Sequence, residues 1–437
     1  MKAINDIDFD EFHATELPSR LAQGNGKLAA STIKPGRTFA WHLTDGRAVT
    51  YTITEDGIDI TQGDLDAEVV VEIPPDDWSM YAQEMKSCFA LLYTNAIRMW
   101  KGEFNHFAAW EPTLLAAYFG RPVYEKPPKL HNRRGRRLDL EQSFTLDDDP
   151  EEISHFFQTT GFLHLREVYT PGEVAAYNAI VSEAMRNASP DDKRSWRATR
   201  DNGSQVCCRV TYLNEKYPMI RALRDDERLQ RIADFSGEEL LPNSDRLDGY
   251  SVVVKQGKVA EGLSDLPWHR DCGMGGHPVL CPGVNVGIQL DEANGKNGQL
   301  HFLAGSHHHS NHGMEVKKNW PAVAIDTKPG DVTAHFGHTL HGAPPPRVLG
   351  QGRRVLYAGF KKAILDDFVP EGQGYNDVLF KHDSGRVRSP EEVQVARSEK
   401  EENYFEKGSY DPYDESDYDG EKYKDWPGSR GKAGIKH

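Results

Sequence analysis

From Thr38 to Ile60 apolar and polar positions alternate: Phe39, Trp41 and Leu43, then Val49, Tyr51 and Ile53, with Asp45-Gly46 and Asp56-Gly57 between the runs. A period of two puts one face of a strand inward, and Asp-Gly pairs supply the positive φ of tight hairpins, so the segment predicts a β-meander. A further strand is expected from Glu68 to Ile73, ending at Pro74-Pro75. Asp76 or Asp77 is then expected to cap a helix running through Trp78 and Tyr81, because a carboxylate there accepts orphan backbone N–H groups. The segments Cys88 to Trp100 and Pro112 to Phe119 are apolar on most faces and predict more helix, packed over the sheet or lining a pocket.

The pattern changes at residues 125–150, EKPPKLHNRRGRRLDLEQSFTLDDDP, where prolines, a basic cluster and an acidic end give linker composition. Arg133, Arg134, Arg136 and Arg137 are read there as a solvated charged connector rather than a phosphate site. Between Asp248 and Phe360 the runs YSVVVKQG, VNVGIQLDEANGKNGQLHFLAGS, VAIDTKPGDVTAHFG and RRVLYAGFKK read as short strands with Gly-rich turns. That spacing suggests a jelly roll or a similar two-sheet barrel. After about Ser398 the chain is rich in Asp, Glu, Lys and Tyr with few aliphatic residues, so it cannot bury much and is expected to drape the surface.

A length of 437 residues exceeds what one core usually serves, so two domains, or one large domain with an appendage, are expected. The five cysteines, Cys88, Cys207, Cys208, Cys272 and Cys281, are odd in number and scattered, which fits reduced thiols better than a disulfide framework or a zinc knot. The opening MKAINDIDFDEF lacks the basic start and apolar run of a secretory signal, and no stretch is apolar for the ~18 residues a membrane span needs. A cytoplasmic protein is expected. The net charge of −15 argues against nucleic acid or anionic membrane as partner, while leaving room for local basic patches that bind an anionic small molecule.

Into the strand-rich half fall His269-Arg270-Asp271 and, much later, His341-Gly342. Residues i and i+2 of a strand point the same way, so His269 and Asp271 can reach one metal, with His341 arriving from a later strand. Two imidazoles and one carboxylate leave coordination positions open, which suits an iron(II) that must take an organic cosubstrate and dioxygen. Arg353 is placed to grip a distal carboxylate bidentately, with Arg354 facing the opposite way. Lys255, on the strand before the histidine motif, is a second candidate contact to the cosubstrate. His335 and His338 are read as packing or supporting residues, the run His307, His308 and His309 as a solvated loop, Trp268 as packing, and Cys272 as a spectator thiol.

Taken in order, VVVKQG, PWHRD, NGQLHFLAGSH, PGDVTAHFGHTLHG and RRVLYAGF resemble the phytanoyl-CoA dioxygenase family over roughly residues 145–370. This chain has Ala304 where many relatives carry proline, and the loop between His341 and Arg353 is unusually proline-rich. The resemblance implies a double-stranded β-helix, with iron(II) at His269, Asp271 and His341, 2-oxoglutarate at Arg353, and 2-oxoglutarate and dioxygen as cosubstrates. Residues 15 to 124, including DAEVVVEIPPDDW and WKGEFNHF, resemble a sterol-carrier-protein-like domain, which implies a greasy small-molecule substrate; the alternative is a small α+β domain used for packing or dimerisation. The expected organisation is therefore α+β in two domains: a small α/β sterol-carrier-like domain at 1–124, a linker at 125–150, a jelly-roll oxygenase domain at 151–397 and an acidic, Tyr-rich tail at 398–437. The expected reaction is hydroxylation, or another oxidation, of an aliphatic C–H bond. Two rival readings are a lipid carrier with a degenerate oxygenase domain and a zinc-type hydrolase or isomerase on a cupin-like fold.

Overall fold

The computed structural model describes residues 6–31, 33–64, 66–93, 96–120, 129–189, 191–200, 202–243, 249–257, 259–261, 266–272, 282–308, 321–344, 346 and 352–362. The C-terminal tail, Cys281, His309 and the side chain of Trp268 lie outside the described set. Among the described residues Cys88, Cys207, Cys208 and Cys272 are free thiols, and no helix is long and apolar enough to cross a membrane.

The alternating segment forms β1 (Thr38–Leu43), β2 (Ala48–Ile53) and β3 (Ile58–Gln62), joined as the expected antiparallel meander. Gly46 takes φ 92°, as its hairpin requires, whereas Gly57 keeps out of the left-handed region. The second turn closes instead with Thr54 N donating to Gly57 O at 2.9 Å, a geometry in which the glycine ends the turn and needs no positive φ. β4 (Val69–Ile73) returns parallel to β1, and β5 (Arg98–Lys101) pairs with β4, giving the order β3-β2-β1-β4-β5. β5 corrects the expectation of helix through Trp100: the helix there is only Cys88–Tyr93. The helix after the paired prolines is Pro75–Ala82, but its N-cap is Pro74 with no side-chain cap bond. Asp76 and Asp77 sit inside the first turn, where negative charge complements the helix dipole, and Asp77 pairs with Lys86.

Helical turns run from Phe9–Glu11 to Gly26–Ala29, a feature not anticipated from the sequence, and bury Phe9, Phe12 and Leu17. With the helix Phe104–Phe119 they enclose an aromatic core of Phe39, Trp41, Tyr51, Trp78, Phe107 and Trp110. Each such ring removed from water contributes roughly 1.5–3 kcal/mol, so this small sheet is held by its aromatics.

The remaining strands are β6 (Phe162–Leu165), β7 (Ser195–Arg200), β8 (Gln205–Val210), β9 (Leu241–Pro242), β10 (Ser251–Lys255), β11 (Val259–Glu261), β12 (Leu266–His269), β13 (Val284–Gln289), β14 (Leu300–Leu303), β15 (Ala322–Ile325), β16 (Val332–Phe336), β17 (His341–Ala343) and β18 (Arg353–Lys361). They form two sheets among the described residues, ordered β11-β7-β8-β10-β18-β13-β16-β6, with β9 beside β18, and β12-β17-β14-β15. This mixed architecture of antiparallel sheets is consistent with the expected jelly roll.

Helices Pro150–Thr160 and Pro171–Asn187 begin at Asp149 and Thr170, each of which accepts a backbone N–H, the second in a reciprocal box with Glu173. They belong to a second hydrophobic cluster with Val252, Val254, Val286, Ile288 and Leu356, which alternation places on one face of the larger sheet. Leu130, Leu138 and Phe144 are buried in this cluster too, and Phe144 bridges to Leu165. Arg133 pairs with Glu151, so at least this member of the basic run is compensated at the surface.

Candidate metal centre

β12 and β17 are short antiparallel partners, and their register sets His269 directly across from His341. Their imidazole centroids lie 4.3 Å apart. Two residues past His269, just beyond the strand, Asp271 directs Oδ1 to 3.4 Å from His269 Nε2 and Oδ2 to 3.6 Å from His341 Nε2. One donor atom from each of the three residues falls within 4.8 Å of the other two. The backbone fixes this bend: Asp271 N donates to Gly337 O at 2.8 Å, and Gly337 N donates to Gly283 O at 2.8 Å. Arg270 takes the opposite direction, as alternation requires, and its buried Nη1 donates to His338 O at 3.0 Å.

The second layer of contacts sets the protonation states. His341 Nδ1 meets Thr339 O at 2.8 Å; because a carbonyl only accepts, the proton sits on Nδ1 and Nε2 keeps its lone pair toward Asp271. Burial drives the His341 pKa below its ordinary value, and Asp271 opposes the change. Burial alone would raise the Asp271 carboxyl, but His341, His269 and His335 outweigh it and hold the group well below the usual carboxylate range. A neutral imidazole and an ionised carboxylate are the forms that bind a metal. Asn285 Nδ2 donates to Asp271 Oδ2 at 2.6 Å, and His335 Nε2 lies 3.3 Å from the same oxygen. Asn285 and His335 are register partners on β13 and β16. Phe302, opposite His341 on β14, backs its ring at a centroid distance of 6.1 Å.

Arg353 opens β18, fully opposite Lys255 in β10. Its side chain is buried, and its Nε donates to Gly298 O at 2.6 Å. Burial lowers its pKa while Tyr357 opposes the change. Arg354 faces the other way, as expected, and forks onto both oxygens of Asp291 at 2.7 Å. Lys255 is buried, with Nζ donating to Ala343 O at 2.5 Å, so this ammonium holds the chain just after His341. Gly287 permits Tyr357 to lie across the sheet: a Cβ there would come within 2.9 Å of the Tyr357 ring and of Val355.

The structure thus brings together all three proposed ligands, puts Arg353 and Lys255 side by side on one sheet face, and has the His338 carbonyl accept from Arg270 Nη1. Asn285, Phe302 and Tyr357 were not singled out from the sequence. The hint available was that Asn285, Gly287 and Gln289 are the small or polar members of the otherwise apolar run VNVGIQL.

The family model matching this chain is that of phytanoyl-CoA dioxygenase (PhyH), over residues 157–354. That span contains His269, Asp271, His341, Arg353 and Lys255. No curated protein matches the chain. Among solved structures the chain is similar to AviO1 from Streptomyces viridochromogenes Tue57, at 24% identity over 50% of this chain and 97% of that one, with a TM-score of 0.40. It is similar to the epimerase SnoN in complex with Fe3+, alpha ketoglutarate and nogalamycin RO, at 20% identity over 49% and 84%, TM-score 0.40. EctD from S. alaskensis with bound Fe gives 20% identity over 54% and 88%, TM-score 0.38.

Proposed function

We propose that this chain is a non-haem iron(II) oxygenase dependent on 2-oxoglutarate, with His269, Asp271 and His341 as metal ligands and Arg353 as the cosubstrate's anchor. The observation that carries the reading is the convergence of two imidazole nitrogens and one carboxylate, one of the imidazoles with its tautomer fixed for ligation. The donor set fits the metal, since one face of nitrogen and oxygen ligands with no thiolate suits ferrous iron. When bound, iron and 2-oxoglutarate supply the activation of dioxygen needed to oxidise an unreactive C–H bond.

The chain's own residues do the positioning. Asp271 contributes the negative charge and is held in one orientation by Asn285. His341 is locked by Thr339 O and backed by Phe302. Arg353 offers the outer nitrogens of its fork to a carboxylate while its Nε stays on Gly298 O, and Lys255, anchored on Ala343 O, is the second contact to the cosubstrate in this reading. Burial of both cations makes an incoming dicarboxylate the group that offsets their desolvation.

Residues 1–124 are proposed as a sterol-carrier-protein-like unit and 151–397 as the oxygenase domain, joined through 125–150. Two separate hydrophobic clusters, one drawn from Phe9 to Tyr118 and one from Leu130 to Phe360, support that division. The product is proposed to be an alcohol or a further oxidised derivative of a small molecule.

Anaerobic titration with iron(II) and 2-oxoglutarate, following the visible charge-transfer band, tests the reading. The band is expected in the unmutated chain and lost in His341→Ala, with succinate released once oxygen is admitted. A carrier would consume no 2-oxoglutarate, and a zinc-type hydrolase would be indifferent to oxygen.

A further inference from the structure

In a chain of net charge −15, the four adjacent strands β7, β8, β10 and β18 contain no acidic residue and carry Arg197, Arg200, Arg209, Lys255, Arg353, Arg354 and Lys361. Arg209 is the member of this group that reaches the metal side from β8. Its register partner is Val253, which is in turn opposite Val355. Alternation puts Ser251, Lys255, Arg353 and Tyr357 on that same face, together with Asn285 and His335, the two residues that contact Asp271.

The side chain is built into place. Its guanidinium carbon lies 4.6 Å from the Trp196 ring centroid, and Nη2 donates to Ser251 Oγ at 3.2 Å. Ser251 is the cross-strand partner of Tyr357, which shares its face of β18 with Arg353. Further along β7, on the side that Trp196 shares by alternation, Arg200 donates from Nη2 to Gln256 Oε1 at 2.8 Å. The Arg200 Nε is buried without a hydrogen-bond partner among the described residues. A buried cationic donor without an acceptor is costly, and an anionic ligand relieves that cost.

2-Oxoglutarate has one carboxylate to spare once its keto-acid end is engaged, and Arg353 is positioned for it. A second guanidinium on the same face is therefore matched to a different anion. We propose that Trp196 and Arg209 anchor the substrate itself, and that the substrate carries a carboxylate or a phosphate bound by the Arg209 fork against the Trp196 ring. The proposal rests on the oxygenase reading and adds a substrate class to it: an anionic molecule, whose apolar part extends toward the metal.

The test is calorimetric titration of the full chain, loaded anaerobically with iron(II) and saturating 2-oxoglutarate, with benzoate, phenyl phosphate and benzyl alcohol. At least one anion is expected to bind tenfold or more tightly than the alcohol, and which one does so tells carboxylate from phosphate. Arg209→Gln is expected to abolish that preference while changing the 2-oxoglutarate dissociation constant less than twofold, and Arg209→Lys to restore part of it. Equal binding of the three probes would overturn the proposal. So would an Arg209→Gln chain that keeps the anion preference, or one that loses 2-oxoglutarate instead, since the arginine would then serve the cosubstrate. Circular dichroism of both variants checks that they fold. Absence of the charge-transfer band in the unmutated chain sinks the oxygenase reading separately, and the probe titration still scores the anion site.

Discussion

Removing the Asn285 amide should weaken metal binding without touching a ligand. Its Nδ2 donates to Asp271 Oδ2 at 2.6 Å, shorter than the carboxylate's contacts with His269, His335 and His341. A hydrogen bond to a charged acceptor is worth roughly 1.5–3 kcal/mol when fully buried. The Asp271 side chain is 31% exposed, so water can replace part of the lost bond and the lower end applies. About 1.4 kcal/mol corresponds to a tenfold change, which places Asn285→Ala near the lower limit of the roughly 10–100-fold losses typical of residues that orient metal ligands. Anaerobic competition of iron(II) against a chromophoric chelator measures the change directly, and manganese(II) calorimetry repeats it without oxidation. Because β13 is a central strand, the variant's Tm is recorded alongside, so that loss of fold is not mistaken for loss of affinity. Metal affinity within twofold of the unmutated chain, at unchanged Tm, would refute the claim that Asn285 holds Asp271 in its ligating orientation.

Arg353→Gln should raise the 2-oxoglutarate dissociation constant by at least tenfold while leaving iron affinity nearly unchanged; equal loss of both would show that the arginine supports the fold instead. Gly287→Ala forces a methyl against the Tyr357 ring and Val355, and overpacking of this kind costs about 1–3 kcal/mol, read as a lowered midpoint in urea unfolding. Burial pushes the Glu111 carboxyl up to about 7, partly opposed by its bonds to Cys88, so between about pH 4.5 and 7 the folded chain holds a proton that the unfolded chain has released. Stability of the N-terminal core should therefore fall as pH rises through that window, and Glu111→Gln should remove the slope. His13 is held down at about 4 by burial, so its contribution has the opposite sign and grows from about pH 4 to 6.5; His13→Gln should steepen the fall that Glu111 causes.

The candidate ligand set was legible because its signal is local: His269 and Asp271 are two residues apart, and His341 is followed by a glycine and, at strand distance, an arginine. The opposite facing of Arg353 and Arg354 followed from period two alone and is seen in their separate partners, Gly298 O and Asp291. Asn285 was not legible, since its importance comes from a register with His335 that no short window contains. The helical turns before Ala29 were missed because their apolar residues, Phe9, Phe12 and Leu17, are spaced among polar ones and bend through π-turns. The strand Arg98–Lys101 was hidden by an apolar run that continues from a helix, where periodicity does not separate the two. Pro74 took the cap expected of Asp76 because proline at the first helical position, Pro75, starts the helix two residues earlier.

β18 lies between β10 and β13 in the larger sheet, although it follows them by dozens of residues in the chain. During synthesis those two strands therefore wait with unpaired edges until the segment after Gly352 has left the ribosome, and the Arg353 cradle is finished only then. A chain cut short near residue 350 would expose two apolar strand edges at the middle of a sheet, an invitation to intermolecular pairing. Premature termination should consequently yield insoluble material, and capture of the metal is expected to be a post-translational event.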